Sequence, residues 1–137
     1  MKFTLVVLFL LFYACNGEED YQEYYSEEEE DEFVPVKIND PDMLAALHSQ
    51  ERKINYSSKH YKNVVRIRHV QDASKRVDSG EAYYKITFYL DETTCLKRKT
   101  KNIKKCTNYT ESHCCRIELL VKRGEISIKS LICSVNF

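Results

Sequence analysis

Glycine is scarce in this chain, with three among 137 residues, too few to build a loop whose backbone cradles phosphate. The four histidines, His48, His60, His69 and His113, show neither an H-x-x-x-H spacing nor the paired cysteines of a zinc site, so no metal and no cofactor is expected. No apolar run reaches the roughly 20 residues that a membrane-spanning helix needs. Catalytic constellations are missing too. His113 beside Cys114 could lower the pKa of that thiol, but no third group is in view to orient a nucleophile–base pair, so no enzyme is expected.

An apolar run from Phe3 to Tyr13 follows the single positive charge at Lys2 and leads into the small residues Cys15 and Gly17. This pattern predicts a signal peptide over residues 1–17, cleaved after Gly17, and therefore secretion into an extracellular, oxidising compartment. Of six cysteines, Cys15 would leave with the leader. Cys95, Cys106, Cys114, Cys115 and Cys133 would remain, an odd number.

The formal net charge of zero hides a strong asymmetry. Ten of the 21 acidic residues lie in 18–32, which has no Lys or Arg, whereas 20 of the 21 basic residues lie from Phe33 onward, giving that part about +9. Residues 18–32 cannot bury enough apolar surface to offset their ordering entropy, so they are expected to form a disordered acidic arm. Tyr21, Tyr24 and Tyr25 sit there in an acidic setting that suits tyrosine sulfation. Residues 33–137 are enough for one domain with one core.

Asp40 followed by Pro41 reads as a helix N-cap and first helical residue. Met43, Ala46, Leu47, Gln50 and Ile54 recur every three or four positions, predicting a helix that ends near Asn55. Val64–Val70 is rich in β-branched residues. In Ala82–Leu90, Tyr84, Ile86, Phe88 and Leu90 alternate with Tyr83, Lys85, Thr87 and Tyr89, and the first set should be buried. Ile117, Leu119 and Val121, then Ile126 and Ile128 beyond Lys122-Arg123-Gly124, read as a hairpin. The expected class is α+β, with one helix packed on an antiparallel sheet.

Cys95 and Cys106 bracket a loop carrying six bases, Lys97, Arg98, Lys99, Lys101, Lys104 and Lys105. Such a loop suits an anionic glycan or a membrane headgroup; the plainer alternative is a solvated loop neutralised by the acidic arm. Nucleic acid is not expected, because no aromatic platform is interleaved with the bases. Asn55-Tyr56-Ser57 and Asn108-Tyr109-Thr110 are N-glycosylation sequons, both expected on loops.

Asp40-Pro41, Asn55, Val64-Val65-Arg66-Ile67, Gly80 before Tyr83-Tyr84, Thr93-Thr94-Cys95, Cys115 and Cys133, taken in order, resemble the secreted (type 2) cystatins over Val36–Cys133. The resemblance implies a cystatin-like domain with two disulfides, Cys95–Cys106 and Cys115–Cys133. Cys114 would then be left unpaired and able to link two copies in a disulfide dimer. It also implies an inhibitor of papain-like cysteine proteases, acting through a wedge of three parts. The first hairpin loop of that wedge, Q-x-V-x-G in the family, falls on Arg76-Val77-Asp78-Ser79-Gly80 and keeps only the glycine. The second, which carries Pro-Trp in the family, falls on Val121-Lys122-Arg123-Gly124, and the chain has no tryptophan. The N-terminal part, Phe33–Asn39, has no glycine, and the legumain-directed asparagine of some members corresponds to Lys59. Two functions are therefore expected to compete. One is a weak cysteine-protease inhibitor, the other a non-inhibitory secreted binding protein that works through its basic surface and acidic arm.

Overall fold

The computed structural model describes residues 33–59 and 61–134, so the expected signal peptide and acidic arm lie outside the described residues. A short strand β1 (Val34–Pro35) is followed by helices α1 (Pro41–His48) and α2 (Glu51–Ser57). Four long strands come next: β2 (Asn63–Asp78), β3 (Glu81–Leu96), β4 (Tyr109–Lys122) and β5 (Glu125–Cys133). They form one antiparallel sheet in the order β1-β2-β3-β4-β5. The expected helix on an antiparallel sheet is what forms.

Asp40 caps α1 by accepting the Met43 N–H at 2.9 Å, and Pro41 occupies the first turn, where its missing N–H costs nothing. Met43, Ala46, Leu47 and Ile54 are buried against the sheet, as their spacing predicts. The helical stretch is divided at Ser49–Gln50. There the Ser49 hydroxyl donates to the Ala46 carbonyl and the Gln50 N–H reaches back only three residues, to Leu47. That tighter turn lets Gln50 lie buried without ending the helical path.

Tyr84, Ile86, Phe88 and Leu90 line the inner face of β3, each no more than 4% exposed, and meet Ile117 and Leu119 from β4. Pairing in β2–β3 shifts between Ile67 and Asp72, and such irregularities bend a strand. Among the described residues β2 has no strand on its outer side here, since β1 covers only Ser74 and Lys75. Helix α2 takes that place. Asn55, fully buried, donates from Nδ2 to the Val65 carbonyl at 2.8 Å and accepts the Val65 N–H on Oδ1 at 2.7 Å. Two residues along, the Glu51 carboxylate accepts the Ile67 N–H at 2.8 Å and pairs with Arg66 at 3.0 Å. Side chains of one helix thus satisfy the edge of β2 and pin the helix to it.

Burial of Asn55 corrects the expectation that it carries a glycan. Its amide nitrogen is committed to Val65 and to the Glu51 carbonyl at 2.9 Å, in a site with no solvent exposure. A glycan there is incompatible with this fold. Asn108 lies exposed just before β4.

Disulfides join Cys95 to Cys106 and Cys115 to Cys133, the latter across directly paired positions of β4 and β5. With residues 1–17 still attached, Cys114 is disulfide-bonded and no described cysteine is free; the expectation of an unpaired Cys114 able to link two copies concerns the chain after the leader, and Cys15 with it, has been removed. Strand alternation separates the two neighbours: Cys115 points into the core, and Cys114 projects from the other face of the sheet.

Candidate functional site

The turns between β2 and β3 and between β4 and β5 lie at one end of the sheet, because Glu81 of β3 is paired with Lys122 of β4. Both turns have two central residues with positive φ, Ser79 (51°) and Gly80 (82°) in the first, Arg123 (53°) and Gly124 (80°) in the second. Two positive φ values in succession are the hairpin turn that matches strand twist, and glycine is the natural occupant of the second position. The glycines that the resemblance singled out therefore shape the two tips.

The third part of the expected wedge lies alongside. Val34 pairs with Lys75, Pro35 with Ser74, and the Val36 N–H donates to the Ala73 carbonyl at 2.9 Å. The Phe33 ring sits under Lys85, 4.3 Å from its Nζ, and 5.0 Å from the Arg76 guanidinium, which also lies 4.5 Å from the Tyr83 ring. Arg76, the first residue of the altered loop, is thereby held against aromatic faces. Val77 is 65% exposed, an apolar side chain presented to solvent.

Across this end the strand register aligns Asp78 with Glu81, Glu81 with Lys122, and Lys122 with Glu125. Four charged residues form one row, with an ion pair between Lys122 Nζ and Glu81 Oε1 at 3.3 Å. Ser79 donates to Asp78 at 3.2 Å. Sequence reading placed charges in each loop separately, and the register joins them.

At the opposite end, beyond Leu96, the polybasic loop folds as two short 3-10 turns, Lys97–Lys99 and Ile103–Lys105. Ile103 is buried against Val64 and Cys106, and the Arg66 Nη1 donates to the carbonyls of Ile103, Lys104 and Cys106 at 3.1–3.3 Å. Arg98, Lys99, Lys101, Lys104 and Lys105 remain exposed. Lys97 turns back instead, donating to the Ser58 carbonyl at 3.0 Å, and burial pushes its pKa down despite the opposing pull of Glu92. Lys59 is exposed near this end.

One polar cluster lay outside the sequence reading. The buried His113 makes a 2.8 Å contact from Nε2 to Glu92, stacks at a tilt 5.2 Å from Tyr61, and lies 4.0 Å from Glu111. Burial, and then Glu92, raise the pKa of Tyr61. Glu92, Glu111 and His113 bring ligand-type atoms within 4.8 Å of one another. Glu92 is engaged with His113 and in the field of Lys97, and Glu111 is 64% exposed, so the group reads as local charge compensation.

No protein-family model matches the chain, and no curated protein matches it by sequence. Solved structures do match. Dimeric human cystatin F is 20% identical, with a TM-score of 0.62 over 79% of this chain and 91% of that one. Mialostatin, a gut cystatin from the hard tick Ixodes ricinus, is 12% identical, with a TM-score of 0.61 over 77% of this chain and 99% of that one. Mouse fetuin-B, in complex with crayfish astacin, is 20% identical with a TM-score of 0.63, and this chain spans 34% of it. With the helix, the five-stranded sheet and the two disulfides, these likenesses establish the architecture: the chain is a divergent cystatin-like protein in fold.

Proposed function

We propose that this chain is a secreted, non-enzymatic binding protein on the cystatin fold, whose wedge end keeps its shape but does not block papain-like cysteine proteases. The row Asp78, Glu81, Lys122 and Glu125 carries the reading. Docking this end into a protease cleft would strip water from those charges. Moving a complex from nanomolar to micromolar takes about 4 kcal/mol, and one charge left buried and unpaired costs roughly 3–5 kcal/mol. A single desolvated Asp78 is enough, and no tryptophan supplies an anchor to offset it. Secretion is supported by the leader-like sequence and the disulfides.

Binding would then fall to the basic surface and the acidic arm. A second reading, inhibition of a protease of another class, is favoured by mouse fetuin-B, which has been solved in complex with crayfish astacin and, in an inhibitory complex, with human meprin beta. Titration of active papain and cathepsins with the purified protein tests the proposal. No loss of activity at micromolar protein is expected, and inhibition at nanomolar protein would overturn it.

A further inference from the structure

We propose that the loop closed by Cys95–Cys106 is a preformed binding site for a sulfated polysaccharide. The inference deepens the binding reading above, naming its partner, and rests on that reading only for the secreted compartment. Five exposed bases, Arg98, Lys99, Lys101, Lys104 and Lys105, stand on eight residues of chain, with Lys62 exposed beside them and its carbonyl accepting the Lys97 N–H at 3.1 Å. Like charges at this density repel and would splay a free loop. This one is restrained at five points.

The disulfide closes its base, Ile103 is buried beneath it, and Arg66 gathers three of its carbonyls. Tyr56 from α2 donates to the Thr100 carbonyl at 3.2 Å, and Lys97 is tied to Ser58. Arg66 is itself fixed by the buried Glu51 carboxylate. The fold therefore bears the repulsion of the bases before any ligand arrives, and a polyanion gains the attraction without ordering the loop. The scarcity of carboxylates in the loop, which has none from Leu96 to Lys105, leaves its field uncompensated locally. Regularly spaced sulfates on a flexible chain suit a restrained array of closely spaced bases. Nucleic acid would call for stacking surfaces, and the loop carries no aromatic residue.

The test uses the full secreted chain and immobilised heparin with a salt gradient. Retention well above that of a protein of equal net charge is expected. Replacing Arg98, Lys99, Lys101, Lys104 and Lys105 by Ser should weaken heparin binding at least about tenfold, while replacing five exposed bases elsewhere (Lys37, Arg52, Lys53, Arg123 and Lys129) should weaken it far less. Circular dichroism checks that both variants fold. Arg66→Met, which keeps every loop charge but removes the clamp, should weaken binding by an intermediate factor. Equal loss in the two five-base variants, no retention of the full chain, or equal binding to hyaluronan, to an oligonucleotide or to phosphatidylserine vesicles would overturn the proposal. The loop lies at the end of the sheet away from the wedge, so its failure leaves the papain result standing, and inhibition of papain leaves this site standing.

Discussion

Asn55 holds both backbone groups of Val65, accepting its N–H at 2.7 Å and donating to its carbonyl at 2.8 Å. One side chain thus does what a neighbouring strand would do, at a place where β2 has none among the described residues. Asn55→Ala should leave two buried backbone groups without partners and cost about 2–4 kcal/mol in denaturant unfolding. A change under about 0.5 kcal/mol, the range of ordinary surface substitutions, would contradict this role.

The same geometry decides which sequon carries sugar. Glycopeptide mapping of protein from a eukaryotic secretory host should find glycan at Asn108 and none at Asn55. Occupied Asn55 in folded, soluble protein would show that the helix does not dock on β2 as described.

Much of this architecture was legible because it follows from short-range pattern. Alternation in Tyr84–Leu90 located the core face, and Asp40-Pro41 located the helix start. What misled was what depends on a distant partner. The Asn55 sequon is a local string, but its burial is set by Val65, ten residues away. Cys114 and Cys115 are adjacent in sequence, and it is the strand register, with Cys115 opposite Cys133, that separates their roles. Glu92 and His113 meet only through the β3–β4 register, with Glu111 and His113, two apart on one strand, the single local hint.

Glu51 and Arg66 form a largely buried pair that also supports Ile67 and the basic loop. Arg66→Ala should cost about 3–5 kcal/mol, since it leaves a buried carboxylate uncompensated. The double variant with Glu51→Ala should cost less than the sum of the singles by about 1 kcal/mol or more, as residues sharing a network couple. Additive losses would mean the pair is not energetically linked.

Non-reducing peptide mapping of the secreted protein after alkylation should recover Cys95 linked to Cys106 and Cys115 linked to Cys133. Recovery of Cys114 linked to Cys133 would contradict the pairing of β4 with β5.

Tyr61 and Lys97 set opposite limbs of the alkaline stability profile. The folded pKa of Lys97 is depressed, so its partly buried ammonium burdens the fold at neutral pH and stability rises as that proton leaves below about 10.4. The folded pKa of Tyr61 is raised, so its contribution is full below about 10 and is lost as pH climbs through the folded value. Denaturation midpoints measured from pH 8 to 11.5 should rise and then fall. Lys97→Met should flatten the rise and Tyr61→Phe should soften the fall; unchanged limbs would reject the assignment.

The central claim is that the wedge end kept its frame and lost its chemistry. The most direct measurement is papain inhibition by the native chain beside a variant carrying Arg76→Gln and Asp78→Val, which restores the family's first-loop pattern. The native chain should not inhibit at micromolar concentration, and the variant should inhibit measurably better. Nanomolar inhibition by the native chain would contradict the account outright.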